Sequence, residues 1–366
     1  MKINKLALGL LLPLLAFLFS SCSGLQDLIG NGYGPYYPDL TSVIFADGKF
    51  MAVDPLNSRV VWISPDDATV LSTGAIDEEG LCEINFISFT NNKYIAGGSC
   101  NNYIYLSDDG RSWTALQVTT EPGEFDFGPN YIYDIIYGNN LYFAWGDASF
   151  SGYSEDLQYW RRLRDENGEI ITQVTGLFYL NDQFIATSYY DALDGSPAIS
   201  TVYLSKDGKT YTRYSLDSEL ALGSQMAFGN GVYVSANGDD FLLSGNFPRG
   251  LLTSTDATNW TLTFTSSDVR LFDIAYGNGR FVAVGGHVVI ETDPDGYSIV
   301  TYDGGVVLSS TDGYTWTKYE LNDCYLLKSV AFNGEIFMAV GLHGAIARSE
   351  NGIDWSVREI ELNWPE

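Results

Sequence analysis

The sequence has few of the residues that build common catalytic and nucleic-acid-binding sites. Its 366 residues include only 2 histidines and 4 cysteines, and 19 lysines and arginines stand against 46 aspartates and glutamates. Two histidines exclude a three-histidine metal centre. A formal net charge of −27 repels phosphate backbones, so nucleic acid is not an expected partner.

Several catalytic motifs are also missing. The chain has no Gly-x-Ser-x-Gly elbow, no P-loop and no His-Glu-x-x-His sequence, so the matching chemistries have no support. No stretch keeps a helical amphipathic period over three turns, which argues against a helical fold. We therefore expect neither a cofactor nor a bound metal.

What the chain does contain excludes disorder. Hydrophobic residues make up 45% of it and aromatic residues 14%, including 25 tyrosines. An acidic chain with this apolar content can bury a core, unlike a disordered acidic tail.

The N-terminus is typical of an exported protein. Lys2 and Lys5 precede an apolar run over residues 6–19, which is shorter than the roughly 20 residues that span a bilayer and indicates a secretory signal. Ser20 and Ser21 directly before Cys22 resemble the lipobox of bacterial lipoproteins. The resemblance implies lipidation of Cys22 and, because Ser23 rather than Asp follows, placement in the outer membrane. Residues 23–38 are then expected to be a tether, and residues 39–366 a single domain.

The rest of the sequence is periodic. An apolar stretch, a turn of the Asp-Gly, Asn-Asn or Asn-Gly kind and a second apolar stretch recur seven times, first over residues 43–52 and last over residues 330–339. Such turn pairs tolerate the positive φ that tight hairpins require. After each hairpin comes a short strand ending in Ser, then an acidic turn and usually a Trp, as in residues 107–113 and 310–316.

Each unit thus predicts four strands, A to D, repeating every roughly 42 to 55 residues, which is the blade period of a propeller. The predicted fold class is all-β, a seven-bladed β-propeller of four-stranded antiparallel blades. Because the chain starts at strand A of blade one and ends at strand D of blade seven, the ring closes without exchanging a strand. The interface between blades seven and one, which we call the seam, is therefore expected to be the weakest interface of the ring.

The Ser-x-Asp-Gly-x-x-Trp copies resemble the Asp-box (BNR) repeats of the sialidase, sortilin and photosystem II assembly factor propellers. The resemblance covers roughly residues 40–362. It implies that the repeated Asp and Trp residues are structural and lie away from the ligand face. The arginine signature of sialidases is absent, so sialidase activity is not expected.

A ligand is expected on one face of the wheel. The A-to-B and C-to-D turns are short and uniform, whereas the D-to-A and B-to-C connections vary widely in length, as functional loops of repeat folds do. These connections are acidic and rich in tyrosine, which suits sugar rings and cationic peptides. The predicted ligand-binding residues are Tyr189, Tyr190, Asp191, Asp239, Asp240, Tyr297, Tyr302, Asp303 and His343.

The cysteines allow two further hypotheses. Cys82 and Cys100 flank the turn of the blade-two hairpin symmetrically, so in an oxidising compartment they are predicted to form a disulfide. Cys324 and His343 are nearly opposite each other across the blade-seven hairpin, which would suit a nucleophile and its base, although no third group is identifiable.

The favoured function is a lipid-anchored, monomeric binding or scaffold module of the cell envelope that contacts a glycan or a protein. Carboxylates alone do not separate a catalytic pair from ordinary acidic residues, so an envelope glycoside hydrolase or lyase using loop carboxylates is kept as the alternative. The resemblance to the photosystem family implies a third hypothesis, an assembly factor, although no feature of the sequence signals a photosynthetic partner. Acidic loops that are merely solvated and bind no ligand are the remaining alternative.

Overall fold

Seven antiparallel sheets make up the computed structural model, and each is built from consecutive segments of the chain. The structure describes residues 35–77, 82–121, 131–147, 150–190, 199–216, 220–237, 249–292 and 298–363. This confirms the predicted seven-bladed β-propeller of four-stranded blades. Cys22 and the rest of the leader lie outside the described residues. Within the described part, no helix has both the length and the apolar character needed to cross a membrane.

The first four blades contain the following strands, in the order A to D. They are Val43–Ala46, Lys49–Asp54, Arg59–Ile63 and Val70–Ala75; Glu83–Thr90, Lys93–Ser99, Tyr103–Ser107 and Thr114–Gln117; Ile132–Gly138, Leu141–Gly146, Ser151–Ser154 and Tyr159–Arg162; Val174–Leu180, Gln183–Tyr190, Ile199–Ser205 and Thr210–Ser215. Thr119–Thr120 and Arg164–Asp165 add short parallel strands to the outer edges of blades three and four.

The last three blades follow the same order. Their strands are Gln225–Gly229, Val232–Ala236, Gly250–Ser254 and Thr261–Thr265; Val269–Gly277, Arg280–Thr292, Ser298–Ser310 and Thr317–Leu321; Leu327–Phe332, Phe337–Gly341, Ala345–Ser349 and Ser356–Glu359. Short 3-10 helices over Pro55–Asn57 and Leu342–Gly344 lie in the B-to-C connections of blades one and seven.

The blades close into a ring. Strand A of each blade contacts strand A of both neighbours, so these seven strands surround the axis of the wheel. The core is divided into seven clusters of buried apolar residues, one between each pair of blades. The alternation of residues along each strand explains this division, since successive side chains point to opposite faces of a sheet and so to opposite neighbours.

The A-to-B turns have the backbone conformation that their residues predicted. Both central residues have positive φ in six blades, as at Asn91 (50°) and Asn92 (59°) or at Asn230 (48°) and Gly231 (77°). Positive φ at both positions is the type I′ geometry that matches the twist of a hairpin.

The first residue of these turns also bonds to the next blade. Its side chain meets a tyrosine hydroxyl one blade further on in five consecutive cases. These pairs are Asp47 with Tyr94, Asn91 with Tyr142, Asn139 with Tyr179, Asn181 with Tyr233 and Asn230 with Tyr276. In blade six, Asn278 donates instead to two backbone carbonyls of blade seven, each at 3.2 Å. The Nε of Arg348 donates to the Pro65 carbonyl at 2.8 Å and links blade seven to blade one.

The C-to-D turns form a second repeated device. In blade six, the Asp312 carboxylate accepts hydrogen bonds from the Ser310 hydroxyl and from the backbone N–H groups of Tyr314 and Thr315. These donors, above all the backbone N–H groups, lower the pKa of Asp312 to about 2. The same pattern recurs in blades two to five, and Asn351 replaces Asp in blade seven. These turn residues are therefore structural.

The seam between blades seven and one is closed by the N-terminal segment, residues 36–40. The Tyr36 N–H donates to the Leu362 carbonyl and the Leu362 N–H to the Tyr36 carbonyl, both at 2.8 Å. Pro38 accepts from Gly344, and Leu40 donates to Gly341. Residues 36–38, which the sequence assigned to the tether, therefore pack on blade seven.

Apolar burial supports the same seam. Tyr36, Leu40 and Phe50 join Met338 and Ile346 in one cluster that spans the two blades. A buried polar contact adds to it, because the backbone N–H of Val43 donates to the hydroxyl of Ser329 at 3.2 Å. The seam thus has a core and hydrogen bonds of the kinds that the other six interfaces have.

We predict that the turn-to-tyrosine bonds stabilise the ring. Asn91→Gly keeps a residue that tolerates positive φ but removes the 2.9 Å bond from Asn91 Nδ2 to the Tyr142 hydroxyl. It should lower the free energy of unfolding by about 1 kcal/mol. Asn92→Gly in the same turn is the matched control, because the structure shows no side-chain bond there. Urea unfolding of Asn91→Gly, Tyr142→Phe and the double variant should give a coupling of about 0.5–1.5 kcal/mol. Strict additivity would show that the bond contributes nothing.

Candidate functional site

The D-to-A and B-to-C connections lie together on one face of the wheel, which we call the loop face; the A-to-B and C-to-D turns form the opposite turn face. The longest B-to-C connection differs from expectation. Residues 286–304 were predicted to be a loop, but strands B and C of blade six continue through most of this stretch as a hairpin that pairs His287 with Asp303 and Thr292 with Ser298. This hairpin, residues 287–292 and 298–303, is called the blade-six arm.

The predicted ligand-binding residues fall into three groups. Tyr189 is 7% exposed, so its side chain belongs to the core rather than to the loop surface. Tyr190 ends strand B of blade four. Asp191, Asp239, Asp240 and Tyr297 lie outside the described residues. Tyr302, Asp303 and His343 are on the loop face, and the geometry around them can be compared with the prediction.

Tyr302 and Asp303 lie at the base of the blade-six arm. The Tyr302 ring packs edge-on against Phe272, with 5.7 Å between ring centroids. The Lys328 ammonium group lies 3.8 Å from the centroid of Phe272 and 5.6 Å from that of Tyr302. Asp303 is exposed and faces His287 across the arm. His287 is held by Glu320 at 2.6 Å, which ties the arm to strand D of its own blade.

His343 lies between two tyrosines. The Tyr37 ring is parallel to its imidazole at 4.2 Å, and the Tyr325 ring packs on it at 4.3 Å with a 35° tilt. His343 adopts left-handed backbone angles (φ 56°, ψ 37°), and its N–H donates to the Asp39 carboxylate. The Tyr37 hydroxyl donates to Glu361, and this bond is the main cause of the raised pKa of Tyr37. We call Tyr37, His343 and Tyr325 the aromatic stack.

A groove adjoins the aromatic stack. It has a volume of about 630 Å³ and lies between the D strands of blades six and seven, opening towards the loop face at Asn322 and Asp323. Glu320, Asp323 and Glu359 give it three carboxylates, and Arg358 is its only basic lining residue. Asp323 of the groove is two residues before Tyr325, and Glu359 is two residues before Glu361, which accepts from the Tyr37 hydroxyl, so the groove and the aromatic stack are neighbours on the loop face.

Exposed large apolar side chains are concentrated on the loop face. Seven of the eleven that the structure describes lie there, against two on the turn face, one at the start of a D strand and one in a C-to-D turn, and two on outer strands. The loop-face residues are Tyr37, Leu56, Tyr103, Ile170, Ile199, Val289 and Tyr325. Those of the turn face are Tyr159 and Tyr314, at 50% and 44% exposure. Exposed apolar side chains gathered on one face are typical of an interaction surface.

A second cavity of about 380 Å³ lies in blade four, under the connection 163–173. Asp165, Glu169, Tyr203 and Arg213 line it together with Ser and Thr hydroxyls. Asp165 accepts from the backbone N–H groups of Asn167 and Glu169, both at 2.9 Å, and so closes a turn. Glu169 is then the one carboxylate of this cavity without such a structural role.

The cysteines behave differently from one another. Glu83 pairs with Ser99, and Cys82 directly precedes Glu83 while Cys100 directly follows Ser99, so the two cysteines have the predicted cross-strand placement. Both are free thiols in this structure, and the disulfide stays a prediction. Burial and a hydrogen bond to Cys82 raise the pKa of Cys100.

Cys324 does not form the expected pair with His343, because Tyr325 occupies the place beside the imidazole. Burial raises the pKa of the Cys324 thiol to about 12, with the charge of Glu359 adding to the effect. A thiol that stays protonated at neutral pH is a weak nucleophile, so the nucleophile hypothesis loses its support.

Two carboxylates lie on the inner strands of opposite blades. Burial raises the pKa of Asp134 in blade three to about 7, and the charge of Asp273 adds to the rise. Burial likewise raises the pKa of Asp273 in blade six to about 6. Asp273 has more hydrogen-bond donors around it, since it accepts from Ser329, Val330 and Ile274, whereas Asp134 accepts from the Ile135 N–H. Among the described residues, no group of three or more His, Cys, Asp or Glu side chains is placed to hold a metal.

The raised pKa of Asp134 gives a testable pH dependence. The native state holds this proton up to about pH 7, whereas an unfolded Asp loses it near pH 3.9, so the stabilising contribution is complete below about pH 4 and is lost as the pH rises through 7. Asp134→Asn mimics the protonated form and should stabilise the fold at pH 8 by about 1–2 kcal/mol, since partial solvent contact limits the penalty. The gain should vanish near pH 4.

Asp273→Asn is the contrast, because it removes the carboxylate oxygen that accepts from Ser329 and Val330 and should lower the stability of the fold. Chemical unfolding of the parent and both variants at pH 4 and pH 8 measures these differences.

We predict a Cys82–Cys100 disulfide in protein kept under oxidising conditions. Closing this loop should add about 3 kcal/mol of stability relative to the reduced protein. Peptide mass mapping without reductant should recover the two cysteines in one linked fragment and Cys324 as a free thiol. Alkylation of both Cys82 and Cys100 in protein prepared under oxidising conditions would contradict the prediction.

Known proteins resemble this chain in fold. No protein-family model matches it, and no curated protein matches it. Among solved structures, YCF48 bound to D1 peptide is 15% identical with a TM-score of 0.57, covering 88% of this chain and 97% of that chain. Catalytically inactive virginiamycin B lyase from Staphylococcus aureus with quinupristin is 11% identical with a TM-score of 0.59, covering 87% and 98%. The WD40 propeller domain of Doa1 is 13% identical with a TM-score of 0.54, covering 87% and 96%. At these identities the likeness shows the propeller fold, which both binding modules and a lyase share.

Proposed function

We propose that this protein is a lipid-anchored propeller of the bacterial cell envelope that binds a protein partner through its loop face and catalyses no reaction. The observation that carries the proposal is the unequal distribution of exposed large apolar side chains, seven on the loop face and two on the turn face. The turn face is occupied by hydrogen bonds within and between blades, whereas the loop face presents side chains that the scaffold does not use.

Two further observations favour a protein over a glycan. The exposed residues of the loop face include Leu56, Ile170, Ile199 and Val289, and aliphatic side chains suit protein surfaces better than they suit sugar hydroxyls. YCF48, which shares the propeller fold, is seen with a peptide bound. The envelope location and the lipid at Cys22 rest on the signal sequence alone.

The alternative, a glycoside hydrolase or lyase, has its best support in the blade-four cavity. Its volume suits a small ligand, and Tyr203, Arg213 and Glu169 line it. A hydrolase needs two carboxylates with separate roles, and the engagement of Asp165 in a turn leaves this cavity with Glu169. The virginiamycin lyase likeness adds only that the fold is compatible with catalysis.

Site-specific photo-crosslinking tests the proposal. A benzophenone amino acid placed at Leu56, Tyr103 or Ile199 in cells should capture the same protein from all three positions. The partner, once purified, should bind the propeller directly, and its affinity should fall about tenfold when Leu56 and Ile199 are both changed to Asp. The matched controls are Tyr159 and Tyr314, which are equally exposed on the turn face.

Three outcomes would contradict the proposal. Crosslinks from Tyr159 and Tyr314 alone would move the interface to the turn face. A glycan captured instead of a protein would favour the hypothesis that the loop face binds a glycan. Turnover of an envelope polysaccharide that Glu169→Gln abolishes would establish the enzyme alternative.

A further inference from the structure

The groove between blades six and seven combines a cavity, unpaired negative charge and exposed aromatic rings. The carboxylates of this groove differ in whether they form an ion pair. Glu320 is held by His287 at 2.6 Å and by Lys318 at 2.7 Å, whereas no described basic side chain forms an ion pair with Asp323 or Glu359. Carboxylates left without partners on one side of a cavity attract a cation from outside the protein.

The aromatic stack extends this surface towards the axis of the wheel. Tyr37 and Tyr325 are 38% and 42% exposed, and His343 between them keeps both rings in place. The face of an exposed tyrosine attracts a lysine or arginine side chain. Glu361, which accepts from Tyr37, and Glu359, which lies close to it, add negative charge beside the rings.

The dimensions favour a chain with several basic residues over a single cation. The groove is about 630 Å³ in volume, and the acidic positions continue beyond it, from Asp323 and Glu359 to Glu361 at the aromatic stack. A small cation would engage one end of this surface. An extended peptide can place one basic side chain between Asp323 and Glu359 and another on Tyr325.

We propose that this surface is the docking site for an extended, basic segment of the protein partner, rich in lysine or arginine. The inference rests on the proposed function, in that it assumes a protein ligand on the loop face, and it adds the chemistry of the segment bound. The geometry assigns Asp323 and Glu359 to the charged contacts and Tyr325 to a cation–π contact.

Fluorescence anisotropy with the purified full-length protein tests the assignment. The probe is a labelled peptide of alternating Lys or Arg and Ser, and the comparison peptide has Gln at every basic position. The basic peptide should bind more tightly, and its affinity should fall as sodium chloride rises from 50 to 500 mM. Equal affinity of the two peptides, or no binding of the basic one, would overturn the proposal.

Matched variants separate this site from the general attraction of an acidic protein. Asp323→Asn with Glu359→Gln should weaken binding of the basic peptide about fivefold to tenfold. Glu155→Gln with Glu335→Gln removes the same charge from exposed positions of the turn face and should change affinity less than about twofold. Equal weakening by both pairs would show that net charge, and not this groove, holds the peptide.

A second pair of variants tests the cation–π contact. Tyr325→Ala should weaken the peptide about twofold to fivefold, and Tyr314→Ala on the turn face should leave it unchanged. Melting temperatures within a few degrees of the parent would show that each variant is folded. If these variants have no effect while loop-face crosslinks to a partner persist, this site is wrong and the proposed function stands. If the crosslinks are absent as well, both fail.

Discussion

Closure of the ring is the constraint on which the rest of this structure depends. Seven blades must each bond to the next, and in blades one to five the residue that opens the A-to-B turn meets two requirements at once. Asn91, for example, takes positive φ and reaches the hydroxyl of Tyr142 in the following blade. These bonds link blade one through to blade six, and Asn278 and Arg348 complete the circle with bonds to backbone carbonyls. Because Asn and Asp combine a tolerated left-handed backbone with a polar side chain, they fit these positions better than glycine, which provides only the conformation.

This constraint explains why the two faces differ. The turn face is fixed by inter-blade bonds and by the Ser-and-Asp turns, so the residues of these turns repeat and their aspartates are structural. The described parts of the loop-face connections show no such repeated bonds and vary from a three-residue helix in blade seven to the long blade-six arm. At the seam, where no exchanged strand joins the ends of the chain, the N-terminal segment supplies backbone bonds and buried Tyr36 and Leu40 instead. That solution places Tyr37 beside His343, and the aromatic stack is therefore a consequence of how the ring closes.

The repeat, the blade count and the turn conformations could be predicted from the sequence because each depends on local patterns. The candidate site could not be predicted in this way, because it depends on contacts between residues that are far apart in the sequence. Tyr37 had been assigned to the tether, yet it stacks on a residue more than 300 positions away. Phe332 pairs with Phe337, so the blade-seven turn has four residues rather than two, and a β-bulge beside Lys328 shifts the register back by one residue. Together the two changes bring Tyr325 rather than Cys324 to His343. Tyr189 was expected on the surface because it was assigned to a B-to-C connection, but strand B continues to Tyr190 and the Tyr189 side chain is buried. The blade-six arm was predicted to be a loop, because residues 286–304 contain several Asp and Gly residues, which are also common in turns.

The propeller thus uses the repeated aspartates of its turns as structural residues and leaves its unused surface on one face. Hydroxyl-radical footprinting of the protein in isolated envelopes, compared with the purified protein, tests this most directly, because exposed tyrosines on both faces serve as internal probes. The account predicts slower oxidation of Tyr103 and Tyr325 in envelopes and unchanged oxidation of Tyr159 and Tyr314. Equal protection of all four residues, or protection of Tyr159 and Tyr314 alone, would contradict it.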